Sequence, residues 1–342
     1  MITRIKWGIL GTSYISEVMA NAIQESQTSQ LVAIGSRSIT TAKNFSNKFS
    51  IPKIYDDYQN LVNDNDIDAI YLGLPNHLHK EWIIRCAHAG KHILCEKPFV
   101  VSIEEAREVI SVINQSNVFC MEALMYRCHP FIKKLQELIQ SKVIGEVKLY
   151  NATYTAHIAD IANPTAGGSI RNLGCYPISL VRLLANAEPI EICGTGRLSQ
   201  KNNTDNQASV ILKFADNSIA VISTADDIKM SWQFDVYGTK GHLKVITNPW
   251  LPSKDSNQII IHLDDETAPI EINVNEEKSL YTHQIDLTNM QIMKREAGNA
   301  VGITLLDSLG NTIVLETWLQ QVKNRNQRPS ESTNQSRITE EL

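Results

Sequence analysis

The hydrophobic pattern of this chain changes period once, close to residue 146, and the change divides it in two. In the first part, short apolar runs alternate with apolar positions at helical spacing. Ile5 to Leu10 is an apolar, β-branched run that stops at Gly11-Thr-Ser-Tyr14. Ile15, Val18, Met19, Ala22 and Ile23 then recur on one helix face. The alternation continues through strands Leu31 to Gly35, Lys53 to Tyr55, Ala69 to Leu74, Ile93 to Cys95 and Val118 to Met121. Helix faces at Ala42/Phe45/Phe49, Trp82/Ile83/Cys86/Ala87 and Ala106/Val109/Ile110/Ile113 separate several of them. Six strands alternating with helices predict a doubly wound parallel sheet of the Rossmann type over residues 1–122.

From Glu146 the period becomes two, after an amphipathic helix carrying Ile132, Leu135, Leu138 and Ile139. A strand begins at Val147 and runs towards His157. Seven more are readable at 190–195, 208–214, 218–224, 232–237, 242–246, 259–263 and 270–274. Turns such as Ala215-Asp-Asn217 and Gly238-Thr-Lys-Gly241 predict antiparallel meanders. Residues 123–325 therefore read as an α+β domain built on a large, mostly antiparallel open sheet. A helix over 178–184 covers one face, and the face opposite suits a partner subunit's sheet. Helices are expected over 280–297 and 303–322, the last of them packing back on the first domain, with a polar tail over 326–342.

Composition narrows the function classes. A length of 342 residues exceeds the roughly 250–300 at which single cores stop growing, in keeping with two domains. A formal charge of −5 gives no electrostatic footprint for nucleic acid. No apolar run reaches membrane-spanning length and no signal segment precedes the first strand, so a cytoplasmic protein is expected. Cys86, Cys95, Cys120, Cys128, Cys175 and Cys193 lack any C-x-x-C spacing and read as reduced thiols. No cluster has metal-ligand spacing, and no metal is expected.

The candidate chemistry lies at strand ends, because ligands of open α/β sheets bind outside the carboxyl ends of the strands. Three polar strand ends converge there: Gly11-Thr-Ser-Tyr14, Pro75-Asn-His-Leu-His79 and Glu96-Lys-Pro98. The dinucleotide fingerprint G-x-G-x-x-G/A falls on Gly11, Ser13 and Ser16, so only its first glycine is kept. The helix N-terminus behind it still offers amides to a pyrophosphate. The second strand ends in Ser36-Arg37, where an NAD-specific fold carries an acid for the ribose 2′-hydroxyl. A serine and a guanidinium suit a 2′-phosphate and point to NADP, with NAD second. His157, on the strand entering the second domain, is a candidate to line the cleft; His77 and His129 read as structural.

Trp7-Gly-Ile-Leu-Gly-Thr12, Pro75-Asn-His-Leu-His79, Gly90-Lys-His-Ile-Leu-Cys-Glu-Lys-Pro98, Glu122-Ala-Leu-Met-Tyr-Arg127 with His129-Pro130, and Gly174-Cys-Tyr-Pro177 together resemble the glucose–fructose oxidoreductase / inositol dehydrogenase / MocA (Gfo/Idh/MocA) family over roughly residues 4–325. The Met-Tyr-Arg and Gly-Cys-Tyr segments resemble its branch of dimeric dihydrodiol dehydrogenases and NADP-dependent xylose dehydrogenases. The resemblance implies an NADP(H)-dependent oxidoreductase that forms homodimers or homotetramers through the second sheet. It implies a small-molecule substrate with a hydroxyl or carbonyl on a sugar, sugar derivative or cyclic diol. Carried over by position, Lys97 and Tyr176 are the catalytic pair. Gly11, Thr12, Ser13, Tyr14, Ile15, Ser36, Arg37, Leu74, Pro75, Asn76, His79, Glu96, Lys97 and Arg127 fall on the cofactor side. Pro98 often follows a cis bond in this family.

An ammonium close to a tyrosine favours phenolate, so Lys97 is expected to lower the Tyr176 pKa. The branch usually has Asp four residues before that tyrosine. Here it is Asn172, preceded by Arg171 where a small residue is common, and both join Tyr176 and His157 as substrate-side candidates. An amide binds a hydroxyl but carries no charge. Two consequences stay open: a substrate shifted towards an anionic sugar paired with Arg171, or weak turnover in a protein that chiefly binds NADP. A sugar-nucleotide dehydrogenase is a further alternative within the same chemistry, and Arg171 read blandly is a solvent-exposed side chain.

Overall fold

The computed structural model describes residues 4–294 and 303–327. The first unit runs β1 (Ile5–Leu10), α1 (Tyr14–Glu25), β2 (Ser29–Gly35), α2 (Ile39–Phe49), β3 (Lys53–Tyr55), α3 (Tyr58–Val62), β4 (Ala69–Leu72), α4 (His79–His88), β5 (His92–Glu96), α5 (Ile103–Ser116) and β6 (Cys120–Ala123). Its six strands are parallel in the order β3-β2-β1-β4-β5-β6, the doubly wound arrangement. Pairing in register sets Leu10 beside Leu72, Leu72 beside Cys95, and Glu96 beside Ala123. The strand ends carrying Gly11, Gly73 and Lys97 therefore open on one edge. Helix starts are fixed locally: Ser38, Asp57 and Ser102 accept amides of the first turn, and Pro130 opens α6 (Pro130–Gln140), where a missing N–H costs nothing.

The second unit is an eight-stranded sheet. It comprises β7 (Val147–Thr155), β8 (Glu191–Leu198), β9 (Asp205–Lys213), β10 (Ile219–Ala225), β11 (Ser231–Gly238), β12 (Gly241–Val245), β13 (Asn257–Leu263) and β14 (Ile270–Val274). The order is β14-β13-β12-β11-β7-β10-β9-β8, antiparallel throughout except for the central pair β7 and β10. A π-type turn over Ile170–Gly174 leads into α7 (Cys175–Ala185) on the covered face. Trp318, on α9 (Leu305–Gln327), packs so closely under Gly174 that a Cβ there would meet its ring at 3.0 Å. That contact explains a glycine at this point of the Gly-Cys-Tyr segment. The opposite face leaves Ile211, Ile219 and Tyr237 exposed.

The first unit is completed from the end of the chain, by both late helices. Helix α8 (Leu280–Lys294) lies against α1, where Trp7 Nε1 donates to Asn289 Oδ1 at 3.0 Å and Ser26 Oγ to Asp286 at 2.6 Å. Helix α9 packs on α5 and β6 and also on β8, so it joins the two units. Residues 295–297, expected to continue α8, and most of the expected tail, residues 328–342, lie outside the described residues. Among the described residues no helix is long and apolar enough to cross a membrane.

Candidate active site

Gly11 ends β1 with φ +95°, and a Cβ on it would meet the Gly73 carbonyl oxygen at 2.7 Å. The turn needs glycine both for its backbone angle and for that approach. Ser16 occupies the position of the last fingerprint glycine, fully buried. It fits because Gly73 at the end of β4 has no side chain; a Cβ there would collide with Ser16 Oγ. The small residue has changed strand while the close helix–strand contact is kept. Ser13 caps α1, and its hydroxyl lies 3.1 Å from that of Ser16.

Beside this turn lies a cavity of about 510 Å³ lined by Gly11, Thr12, Ser13, Ser36, Arg37, Ser38, Thr41, Tyr58, Gly73, Leu74 and Pro75. Ser36 and Thr41 hydroxyls sit 2.7 Å apart, and the Arg37 guanidinium reaches the Tyr58 hydroxyl. This wall holds hydroxyls, a cation and a helix N-terminus but no carboxylate, the donor set a phosphorylated ribose needs. Tyr14 and Ile15 open α1 at the rim, Tyr14 well exposed.

Across the crevice, the bond between Lys97 and Pro98 is cis. Lys97 Nζ donates to the Asn172 carbonyl at 2.9 Å and stands 5.1 Å from the centre of the Tyr176 ring. Glu96 turns the other way: the Tyr71 hydroxyl donates to it at 2.7 Å, and burial raises its pKa. Glu122, at the end of β6, accepts the Phe99 amide at 2.9 Å. Burial lifts its pKa to about 7, against the pull of the nearby Ser308 hydroxyl.

Tyr176 keeps only 8% of its surface exposed. It packs against Tyr126 and edge-on against Tyr154, which stacks on Trp250 at 4.7 Å. The expected lowering of its pKa is not what the surroundings give. Burial first, then Cys175, Tyr154, Tyr281 and Glu96, hold the phenol well above its ordinary value. Desolvation outweighs the neighbouring ammonium, and Tyr176 rests as a protonated phenol.

Several sequence candidates land elsewhere than expected. His79 is fully buried and faces backbone instead of the crevice: Nε2 lies 2.9 Å from the Leu74 carbonyl, and Nδ1 lies 3.0 and 3.2 Å from those of Pro98 and Phe99. It braces one strand end against the other. Arg127 is buried, where it donates to Ser179 and pairs with Asp307 at 2.8 Å on the far side of α7. Asp307 pairs with Arg182 as well. Asn76 donates to the Ala166 carbonyl at 2.6 Å while its Oδ1 is buried without a partner. His157 is exposed, near Asp226. Arg171 is half-buried, so it is not the solvent-exposed side chain of its bland reading. It is not directed at a substrate anion either: it donates to the Val101 carbonyl at 2.7 Å and to Thr165. The Asn172 amide donates to the Gly167 and Gly168 carbonyls.

The sequence reasoning passed over Tyr154, Trp250 and Tyr281, an aromatic group that borders Lys97 and Tyr176. Tyr281 of α8 is near enough to feel Glu96, Tyr14 and Tyr154. One signal was present: Asn248-Pro249-Trp250 places a tryptophan in a turn, where an exposed ring would be costly, and it is fully buried.

Two family models match the chain. One, an oxidoreductase family with NAD-binding Rossmann fold (Gfo/Idh/MocA), covers residues 5–124; its C-terminal domain model covers residues 132–244. The trans-1,2-dihydrobenzene-1,2-diol dehydrogenase of Xenopus tropicalis is 32% identical over 254 residues, 72% of this chain and 77% of that one. The NADP(+) D-xylose 1-dehydrogenase 2 of Haloferax volcanii is 31% identical over 70% of this chain and 74% of its own. Among solved structures, a 3-ketoreductase from Actinomadura kijaniata in complex with NADP and TDP-benzene superposes with TM-score 0.85 at 22% identity. That match covers 94% of this chain and 98% of the other, and at such identity it speaks for the fold.

Proposed function

The chain belongs to the Gfo/Idh/MocA oxidoreductase family, and from that premise we propose that Lys97 and Tyr176 form the proton-transfer pair of an NADP-dependent oxidoreductase acting on a hydroxyl or carbonyl of a small cyclic polyol or sugar. The observation that carries the reading is the Lys97 ammonium beside the Tyr176 ring, next to a carboxylate-free cradle. Gly11, Thr12, Ser13 and the start of α1 would hold the pyrophosphate, and Ser36, Arg37 and Thr41 the adenosine phosphate. When bound, the nicotinamide gives or takes the hydride.

The chain's own residues supply position and a proton. A phenol kept protonated by burial is a donor, so Tyr176 Oη gives its proton to the alkoxide that forms as a carbonyl is reduced. Lys97 carries the charge that stabilises that alkoxide, and afterwards the tyrosinate. In the oxidation direction the same proton returns to Tyr176. Tyr154 and Trp250 provide an apolar wall on which a ring can lie, and they limit water beside the reacting carbon.

The test is NADPH fluorescence titration followed by turnover of aldoses, inositols and cyclic diols. NADPH should bind at least tenfold more tightly than NADH. Arg37→Leu should weaken NADPH by about 10- to 100-fold, since a charge-assisted bond contributes about 1.5–3 kcal/mol, and should leave NADH unchanged. Equal loss for both cofactors would remove Arg37 from phosphate recognition, and no binding of either would end the reading.

Assembly follows from the open sheet. Its uncovered face, with Ile211, Ile219 and Tyr237, suits a second copy of the chain. Sedimentation should find a homodimer or homotetramer that Ile211→Glu shifts towards monomer; a monomeric wild type would reject this. A reducing, cytoplasmic setting suits the six free thiols.

A further inference from the structure

Residues 163–168 form a strap between the two units. Its own fold is fixed by Asn163, whose side-chain oxygen accepts the Thr165 and Ala166 amides and whose carbonyl accepts the Gly167 amide. What distinguishes it is the fate of its carbonyls. Four in succession are taken by side-chain donors: Thr165 by Arg171, Ala166 by Asn76, and Gly167 and Gly168 by Asn172. The strap is also laid flat. Gly167, at φ +91°, rests on the stem of Arg171, where a Cβ would meet Cδ at 2.8 Å; a Cβ on Gly168 would collide with the Asp205 backbone.

The donors come from both walls of the crevice. Asn76 follows β4 in the first unit. Asn172 belongs to the second, and its own carbonyl holds Lys97. Arg171 ties the strap also to Val101, four residues beyond Lys97. Two oddities of the sequence thereby acquire one cause. A carboxylate at 172 would set its oxygens against two carbonyl oxygens, whereas the amide donates to both. A small residue at 171 would leave Thr165 and Val101 without their partner.

Resting on the function proposed above, we propose that this strap is the specificity-determining wall of the substrate subsite, with Arg171 and Asn172 as the positioning residues that fasten it. The substrate class it admits is an uncharged, ring-sized hydroxy or carbonyl compound. A substrate with a nucleoside diphosphate extension is excluded, because the strap bridges the crevice and the Arg171 guanidinium that fastens it is committed to backbone oxygens.

Wild type, Arg171→Met, Arg171→Lys and Asn172→Asp are compared on trans-cyclohexane-1,2-diol, D-xylose and TDP-glucose with NADP. Wild type should turn over at least one of the small rings and not TDP-glucose. Arg171→Met should raise KM for the small ring at least tenfold with kcat moving less than threefold. Arg171→Lys should fall between, since one ammonium replaces a fork. Asn172→Asp should lower kcat/KM. The proposal is overturned by an unchanged KM in Arg171→Met, by a gain in kcat/KM in Asn172→Asp, or by any turnover of TDP-glucose in wild type. It is also overturned if a wild type that binds NADPH turns over none of the three. Should wild type bind no nicotinamide cofactor, the functional reading fails separately. Amide exchange at Thr165–Gly168 then still decides the fastening: at least tenfold faster exchange in Arg171→Met supports it, and equal exchange removes it.

Discussion

Replacing Lys97 by alanine should lower kcat at least a hundredfold while NADPH still binds. The ammonium has two partners, the Asn172 carbonyl and the Tyr176 ring, and the phenol beside it is held protonated by burial. Without a cation there, the tyrosinate left after proton donation would stand uncompensated at a site of low polarity. General acid–base contributions of about 10²–10⁴-fold set the scale. Lys97→Arg should recover little, because a guanidinium cannot take the place of a compact ammonium at one carbonyl. Turnover unchanged in Lys97→Ala would remove the residue from the chemistry. A loss of NADPH affinity matching the loss of rate would assign it to the cofactor instead.

The second large effect is one of stability. Glu122 is almost fully buried between the turn that carries Lys97 and the start of α9, and its pKa rises from an ordinary 4.5 to about 7. Burial is the main cause, with Asp307 adding to it; the Ser308 hydroxyl, the Phe99 amide and Arg182 act in the opposite direction. Between those two values the folded chain keeps a proton that the unfolded chain has released. Stability contributed by this group is therefore fully present below about pH 4.5 and falls as pH rises to about 7, by about 3 kcal/mol. Glutamine keeps the oxygen that accepts Phe99 and has no proton to lose. Glu122→Gln should thus gain on wild type by up to about 3 kcal/mol between pH 4.5 and 8 in urea unfolding. A gap between the two that stays constant with pH would show that Glu122 does not hold this proton.

The alternation of apolar runs and helix faces carried the architecture. Two parts of it left weak marks. Helix α3 has five residues and starts from Asp57, too short for any period to show. Strand β6 lies two residues later than the apolar run suggests, because a strand buried on both faces has no polar boundary to mark its ends. At the site, Lys97 and Tyr176 were legible as types at matching motif positions. The tasks of His79, Arg171 and Asn172 were not, since all three bind main-chain carbonyls, and a carbonyl looks the same whatever residue bears it. Direction of titration was hidden for a related reason. Proximity of Lys97 to Tyr176 could be anticipated, but the depth at which Tyr126 and Tyr154 enclose the phenol could not.

The return of α8 to the first unit sets a schedule for synthesis. When the ribosome has made residue 122, all but the last residue of the six parallel strands exist, yet Trp7 and the Ser26–Ser29 corner still lack Asp286 and Asn289. The missing segment is finished only at residue 294. At about 5–20 residues per second the nascent nucleotide-binding half waits roughly 10–35 s for it. During that interval it presents an uncovered indole and an unsealed helix face, the kind of surface a holding chaperone engages. A stop codon that removes the last sixty residues would harm the half of the molecule made first.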